Sequence, residues 1–266
     1  MGIIQLRAGE AALTIDPAAG GRFSSLVVEG HELLVTEGSG PIEWGCFPMA
    51  PFAGRIRDGR FSFRGRTYQL EANLPPNAIH GTVFVKPWDV VAADVDRAVL
   101  ATELGAGWPF RGRVTETIDL RPDRLEARLD LEAEESMPAW LGWHPWFTRE
   151  LAGATAALDF SAERMYRRGP DGLPTGALIE PTPAPWDDAF VGARLPIRLT
   201  WRGVLSLELT ATAQIWVVYD ERPYAICIEP QTAPPDAVNL PDAPPIAEPG
   251  APLSMSMTWR WSRATA

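Results

Sequence analysis

The sequence DRLEARLDLEAE, residues 123–134, alternates apolar and charged side chains along most of its length. Because successive side chains of a β-strand point to opposite faces, this period of two predicts a strand with one face in a core. The segment RVTETIDL (113–120) precedes it across the turn RPDR, so the two segments predict an antiparallel hairpin. The predicted core face of 123–134 carries Leu125, Ala127, Leu129, Leu131 and Ala133.

Other segments predict further strands. RFSFRGRTYQL (60–70) predicts a short hairpin that turns at Arg64–Gly65, and residues 13–35 predict strands with a turn near Glu29–Gly30. No segment has the period of an amphipathic helix over twelve or more residues. The remaining strand candidates are VLSLELTATAQIWVVYD (204–220), AICIEP (225–230) and PLSMSMTWRWS (252–262).

The spacing of these strands predicts an all-β fold. The 26 prolines and 23 glycines interrupt the chain throughout, which discourages long helices. Short strands separated by turns indicate a sandwich or barrel, and we expect one antiparallel domain over residues 1–266. We interpret 181–188 and 235–245 as long ordered loops, and we expect loops within 160–190 and 231–250 to shape any groove.

Composition excludes several partners. The formal net charge of −10 and the isoelectric point of about 4.9 oppose binding to nucleic acids and to anionic membrane surfaces. No apolar run is long enough to span a bilayer, and the N-terminal sequence lacks the features of a secretion signal. The two cysteines, Cys46 and Cys227, fit a reducing compartment, so we expect a cytoplasmic protein.

The first candidate functional residue is His144, in LGWHPWF (141–147). An ionisable ring between Trp143 and Trp146 is compatible with a packed core histidine, a metal ligand, or a proton donor beside a sugar. If the segment is a strand, His144 and Trp146 share one face and Trp143 lies on the other. The three histidines show no metal-ligand spacing, so we expect no metal site.

A second candidate is Glu229, which ends the apolar run AICIEP. Burying a charged carboxylate at the end of a strand destabilises the fold unless the group is paired, so an unpaired one indicates a functional role. Burial also raises the pKa of the carboxyl group toward the range of a general base. Two loop segments add polar groups, namely MAPFAGRIRDGRF with Arg55 and Arg57, and PPNAIHG with His80. No G-x-S-x-G elbow, P-loop or G-x-G-x-x-G sequence is present.

Five motifs in order resemble the aldose 1-epimerase (mutarotase) family: PFAGRIRDGRF, IHG, HPWF, PWDDAF and IEPQT. The resemblance covers roughly residues 15–260, and it implies a large antiparallel β-sandwich with a sugar groove, the galactose mutarotase-like supersandwich. It also implies that Glu229 is the general base and His144 the general acid. In the family's pattern, His80, Arg55 and Asp187 hold sugar hydroxyls. Here Gly54 stands where many members have Asn, and Asp187 is favoured over Asp188.

The implied reaction interconverts the α and β anomers of a free aldose by ring opening and reclosure, and it needs no cofactor. Trp146 is expected to share the groove, and nearby carboxylates to raise the pKa of His144. We expect a monomer or homodimer whose partner is a small-molecule sugar.

Three alternatives remain open at this point. The first is a hexose-6-phosphate 1-epimerase with a phosphate clamp of Arg55, Arg57 and Arg60. The second is a non-catalytic carbohydrate-binding protein, which would use the same groove and would not need Glu229. The third is a glycoside hydrolase or lyase that uses Glu229 with Asp187 or Asp188.

Overall fold

The computed structural model describes residues 2–241 and 244–265, and almost all of its regular structure is β. Single 3-10 turns occur at Pro17–Ala19, Arg57–Gly59 and Ala237–Asn239. None of the helices in the described part of the chain has the length and apolar character of a membrane span.

The strands of the first half, in chain order, are β1 (Ile4–Ala8), β2 (Ala11–Asp16), β3 (Arg22–Val28), β4 (His31–Glu32), β5 (Cys46–Met49), β6 (Arg55–Ile56), β7 (Arg60–Phe63), β8 (Arg66–Gln69), β9 (Ala78–Ile79), β10 (Asp89–Ala93), β11 (Arg97–Glu103), β12 (Gly112–Arg121) and β13 (Arg124–Ala133). Those of the second half are β14 (Met137–Pro138), β15 (Gly142–Thr148), β16 (Glu150–Leu151), β17 (Ala154–Asp159), β18 (Ala162–Arg168), β19 (Pro174–Ile179), β20 (Asp187–Ala193), β21 (Ile197–Trp201), β22 (Leu205–Ala211), β23 (Ile215–Tyr219), β24 (Ala225–Gln231), β25 (Ile246–Ala247) and β26 (Leu253–Arg263).

Two large sheets hold most of these strands. Within the described residues, eleven strands form one sheet in the order β1-β2-β3-β5-β15-β24-β23-β20-β18-β19, with β4 beside β3. Nine strands form the other in the order β10-β11-β12-β13-β26-β22-β21-β17-β16. Three short strand pairs, β6-β9, β7-β8 and β14-β25, lie outside them. One apolar core joins both sheets, from Leu13 of β2 to Leu129 of β13 and Trp259 of β26.

The predicted hairpin at 113–134 is confirmed. Strands β12 and β13 pair antiparallel from Gly112↔Ala133 to Arg121↔Arg124, and every predicted core-facing residue of β13 is buried. The hairpin at 60–70 and the turn at Glu29–Gly30 are also confirmed, since β7 pairs with β8 and β3 pairs with β4 across those turns.

Two features of the fold differ from the sequence interpretation. Residues 204–220 do not form one continuous strand, because β22 pairs within the nine-stranded sheet and β23 within the eleven-stranded sheet. The chain crosses between the sheets at 212–214. The region 160–190 is not simply a loop, since β18 and β19 lie within it and extend the edge of the eleven-stranded sheet. Alternation within each strand does not encode which sheet the strand joins.

Candidate active site

A cavity of about 310 Å³ lies on the eleven-stranded sheet. It opens on the face that points away from the nine-stranded sheet, because Trp143 of β15 reaches Glu116 of β12 while the next residue, His144, points the opposite way. Pockets of this size hold small ligands. The polar residues that line it include Glu43, Arg55, His80, His144, Arg168, Asp187, Asp188, Glu221, Arg222, Glu229 and Gln231.

Strand pairing brings the two principal candidates together. Strand β15 pairs with β24 through Gly142↔Gln231 and Trp146↔Cys227, and this register places His144 opposite Glu229 on the same face. Non-adjacent sequence positions thus become neighbours across one strand gap. The strand nature of 142–148 is confirmed, and so is the prediction that His144 and Trp146 share a face.

His144 and Glu229 contact each other directly. The Nε2 atom of His144 lies 3.3 Å from Oε1 of Glu229, and both side chains are almost fully buried. The other carboxylate oxygen, Oε2, accepts a hydrogen bond of 3.1 Å from Nε2 of Gln231. Gln231 follows Glu229 by two positions in β24, so both side chains face the cavity. The carboxyl group is therefore held from two sides.

The ring of His144 is packed between aromatic rings. Phe47 stacks on it at 4.9 Å between centroids, and Trp146 stacks on it at 5.4 Å with an interplanar angle of 6°. Tyr224 stacks in turn on Trp146 at 6.2 Å. His80 meets His144 edge-on at 5.0 Å. These ring contacts restrict the orientation of the imidazole. Trp146 lines the cavity and is itself almost fully buried.

Burial sets the protonation of the pair. It is the largest cause that lowers the pKa of His144 to about 3, and the positive charge of Arg22 is the next. Burial also raises the pKa of Glu229 well above its usual range, and repulsion from Asp187 adds to this effect. The expectation that carboxylates raise the pKa of His144 is therefore wrong, because the desolvation of the buried ring outweighs the neighbouring acids.

The remaining predicted groove residues reach the cavity from three elements. Arg55 comes from β6, His80 follows β9, and Asp187 begins β20. An Nη atom of Arg55 lies 3.9 Å from Oδ2 of Asp187, so these two groups form a partly exposed ion pair that lines the cavity. Burial also lowers the pKa of His80 well below its usual value, which leaves a neutral ring beside His144.

The backbone around His80 is tightly constrained. His80 has a φ of 59°, an uncommon conformation for a residue with a side chain, and Gly81 has a φ of 78°. A Cβ atom on Gly81 would lie 2.0 Å from the carbonyl oxygen of Ala50. Only glycine therefore fits directly after His80.

Replacing Gly81 by Ala is expected to destabilise the fold by more than about 1 kcal/mol, because both the positive φ and the contact with Ala50 oppose a side chain. Urea denaturation measures the change. Gly65→Ala is the matched control, since Gly65 has a φ of 76° with open space around it. Equal losses of stability in the two variants would contradict the role of the Ala50 contact.

The two aspartates of PWDDAF have different surroundings. Asp187 pairs with Tyr219 across β20 and β23, so it lies on the face of Trp146 and the cavity. Asp188 also borders the cavity, but the alternation of the strand turns its side chain to the other face, where it pairs with Val218 and contacts Nε of Arg168 at 3.5 Å. Burial raises the pKa of Asp188. The register therefore favours Asp187 as the groove-facing carboxylate.

Gly54 illustrates a departure from the family pattern. Its φ is 69°, and a Cβ atom there would lie 2.7 Å from two carbon atoms of the Pro235 ring. Pro235 thus fills the space beside Gly54, and both residues line the cavity. An apolar surface stands where the resemblance implies an amide.

Sequence reasoning missed five polar cavity residues that the structure brings in, namely Glu43, Arg168, Glu221, Arg222 and Gln231. Gln231 could have been found, because it lies in IEPQT two positions after Glu229 in a strand. Arg168 carried no such signal. It ends β18 and contacts Asp187 at 3.7 Å only because β18 pairs with β20.

Unsatisfied polar atoms concentrate at this cavity. Among the described residues, the buried side-chain atoms without a hydrogen-bond partner include Nδ1 of His80, Nδ1 of His144, Nε1 of Trp146 and Oε1 of Gln231. All four residues line the cavity. Buried polar groups are normally paired, so a cluster of exceptions is typical of a functional site.

Comparison with known proteins identifies the family. The sequence pattern of the aldose 1-epimerase family matches residues 3–258, and the chain belongs to this family. Its members are isomerases that act on sugars. The uncharacterized protein YphB of Escherichia coli is 35% identical over 106 residues. That match spans 38% of this chain and 36% of YphB, so it covers less than two thirds of that relative.

Solved structures share the fold across almost the whole chain. A candidate aldose 1-epimerase from Escherichia coli has a TM-score of 0.87 at 22% identity, and the match covers 98% of this chain and 99% of that chain. A GalM/aldose epimerase homologue from C. elegans has a TM-score of 0.84 at 17% identity, covering 99% of both chains. Galactose 1-epimerase from Lactobacillus acidophilus has a TM-score of 0.80 at 16% identity, covering 97% of this chain and 93% of that chain. The predicted galactose mutarotase-like β-sandwich is confirmed.

Proposed function

We propose that the chain is an aldose 1-epimerase that interconverts the α and β anomers of a free aldose by general acid–base catalysis. The observation that carries the proposal is the contact of 3.3 Å between Nε2 of His144 and Oε1 of Glu229 within a sugar-sized cavity. Two proton-transfer groups this close can serve the anomeric hydroxyl and the ring oxygen of one sugar, since these oxygens share the carbon C1.

The pair is poised to hold one proton. With a lowered pKa on His144 and a raised pKa on Glu229, the proton rests on the carboxyl group. Passing it to Nε2 of His144 converts the neutral pair into imidazolium and carboxylate without a change in net charge. The transfer is uphill in the resting protein, but the opposite charges it creates lie 3.3 Å apart, so no isolated buried charge forms.

Ring opening then uses both members of the pair. Glu229 removes the proton of the C1 hydroxyl, the bond between C1 and the ring oxygen breaks, and His144 donates its proton to the ring oxygen. The open aldehyde rotates about C1–C2. Reclosure on the other face of the carbonyl reverses the transfers, so both groups return to their starting protonation. Each positioned transfer contributes roughly 10²–10⁴-fold.

In this proposal, the charged groups that line the cavity bind the sugar. Arg55 and Asp187 offer donors and acceptors to hydroxyl groups, and the neutral ring of His80 lies beside His144. Trp146 lines the cavity and holds the ring of His144 in place by stacking on it.

A phosphate clamp is not supported by the positions of the arginines. Of Arg55, Arg57 and Arg60, only Arg55 is among the lining residues. Arg57 is paired with Asp171 and, at 3.3 Å, with Asp236, so its charge is already compensated. Arg168 and Arg222 also line the cavity, but Glu43, Asp187, Asp188, Glu221 and Glu229 outnumber the three lining arginines, and this excess of acidic groups opposes a phosphate. We therefore favour an uncharged aldose over a hexose 6-phosphate.

Polarimetry of freshly dissolved α-anomers tests the proposal. We expect the protein to accelerate the change in rotation for at least one sugar among glucose, galactose, xylose and arabinose, above the spontaneous rate. Glucose 6-phosphate is included as the charged comparison. Faster turnover of the phosphate than of every free sugar would favour the phosphosugar epimerase, and binding without acceleration would favour a carbohydrate-binding protein.

Substitution of the two arginines separates their roles. Arg55→Met is expected to raise the KM for the best sugar about tenfold, which corresponds to one lost hydrogen bond to a charged group. Arg57→Met is the matched control and should leave KM nearly unchanged, because Arg57 binds Asp171 and Asp236 and does not line the cavity. Initial rates from polarimetry at several sugar concentrations give the KM of each variant. A larger increase in KM for Arg57→Met than for Arg55→Met would instead support a phosphate clamp that includes Arg57.

Three further predictions concern the whole protein. We propose one domain over residues 1–266, a cytoplasmic location, and a monomer or homodimer. Both cysteines are free and buried in the structure. Size-exclusion chromatography with light scattering measures the oligomeric state.

A further inference from the structure

Arg22 is the most deeply buried arginine side chain of the described residues, with 1% of its surface exposed. Its guanidinium is held by backbone carbonyl groups. Nε donates to the carbonyl of Ala19 at 3.4 Å, Nη1 donates to that of Trp44, and Nη2 donates to that of Pro41. Burial lowers the pKa of Arg22 to about 10, which leaves it charged at neutral pH.

The same guanidinium lies against two aromatic rings. Its central carbon is 4.2 Å from the ring centre of Trp44 and 4.7 Å from that of Phe47. A cation over an aromatic face is attracted by the ring's electrons. Phe47 also stacks on His144, so one ring separates a buried positive charge from the proposed acid.

Arg22 also fixes part of the cavity rim. Pro41 and Trp44, whose carbonyls it binds, flank Ile42 and Glu43, and both of these residues line the cavity. Glu43 lies 4.0 Å from Arg222, which lines the cavity from the segment between β23 and β24. We define residues 41–44 as the rim loop. One side chain therefore contacts both the rim loop and the ring stacked on His144.

We propose that Arg22 is a positioning residue, which locks the rim loop and the His144 ring into one unit and places a fixed positive charge behind that ring. The inference rests on the proposed function, because it takes His144 as a proton-transfer group. Arg22 touches neither the cavity nor the sugar, so it acts through Phe47 and the rim loop.

The charge behind His144 favours the neutral ring. A positive charge separated by one ring, and shielded from water, opposes a second positive charge on His144. The proton of the pair is thereby kept on Glu229 in the resting protein. The titratable and charged groups that act on this pair from the surrounding elements are Arg22 of β3, Cys46 of β5, Arg55 of β6, His80 after β9, Asp187 of β20 and Cys227 of β24.

Two substitutions separate charge from position. Arg22→Gln removes the charge and keeps donors for the carbonyls, and Arg22→Lys keeps the charge and loses the planar group that spans Pro41 and Trp44. Arg149→Gln is the matched control, since Arg149 also donates to three backbone carbonyls, those of Asp220, Arg222 and Ala225. The titration of His144 is followed by ¹⁵N NMR of the histidine rings, and KM is measured by polarimetry.

In Arg22→Gln we expect the titration midpoint of His144 to rise by at least about one pH unit, a tenfold change in proton affinity, and the KM to rise several-fold. In Arg22→Lys the midpoint should stay low while KM still rises. Arg149→Gln should leave the midpoint of His144 unchanged.

Three results would overturn the proposal: a folded Arg22→Gln variant with the wild-type midpoint and KM, an Arg22→Lys variant with the wild-type KM, or an equal midpoint shift in Arg149→Gln. Arg22→Lys decides the matter if Arg22→Gln does not fold. The NMR midpoint needs no turnover, so it tests the role of Arg22 even if no sugar is epimerised. Loss of the proposed function would appear separately, as wild-type protein without acceleration.

Discussion

Glu229→Gln is expected to lower kcat for anomer interconversion by about 10²–10⁴-fold while the protein stays folded. Glutamine keeps the shape of the side chain and can still pair with Gln231, but it cannot exchange a proton with His144. His144→Ala should lose a similar factor, because the ring oxygen then has no proton donor. Polarimetry, corrected for the spontaneous rate, measures kcat for both variants.

The matched control for Glu229 is Asp188→Asn, since Asp188 is also a buried carboxyl of the cavity region but points to the other face of the sheet. We expect a much smaller change in kcat for this variant. Wild-type turnover in folded Glu229→Gln would remove Glu229 from the mechanism, and a deficit confined to KM would indicate a binding residue.

Glu116→Gln is expected to abolish a large part of the pH dependence of stability. Glu116 is fully buried between the sheets, its Oε1 accepts a hydrogen bond of 2.8 Å from Nε1 of Trp143, and burial raises its pKa to about 8. The folded protein keeps this carboxyl protonated while the unfolded chain ionises it near pH 4.5. Its contribution is complete below pH 4.5 and is lost as the pH rises toward 8, by up to about 1.4 kcal/mol per pH unit.

The measurement is urea denaturation of wild type and Glu116→Gln at pH 5, 6, 7 and 8. The difference between their free energies of unfolding should change by several kcal/mol in favour of the variant, because the other titrating groups are common to both proteins and cancel. Glu132→Gln, at an exposed position of β13, is the control and should parallel the wild type. A constant difference for Glu116→Gln across this range would contradict a protonated Glu116.

The fold was largely predictable because alternation marks a half-buried strand wherever it occurs. The hairpin of β12 and β13 shows this, since each predicted core position is buried. Sheet membership was not predictable, as the separation of β22 and β23 into different sheets shows. Pairing partners are distant in sequence, so local pattern cannot select them.

The candidate site was predictable in its residues and not in its electrostatics. The family motifs led to His144 and Glu229, but they did not encode the burial that lowers the pKa of His144, to which the stacked rings of Phe47 and Trp146 contribute. The burial of Glu116 also has a signal in the sequence. A period of two in RVTETIDL places it between Val114 and Ile118 on the core face.

Exchange between α and β anomeric protons at equilibrium, followed by ¹H NMR on the best sugar, tests the central claim most directly. It detects interconversion without any net change in concentration. Wild-type protein should increase the exchange rate in proportion to its concentration, and Glu229→Gln and His144→Ala should each return it to the spontaneous value. Exchange that persists undiminished in both folded variants would contradict catalysis by the His144–Glu229 pair.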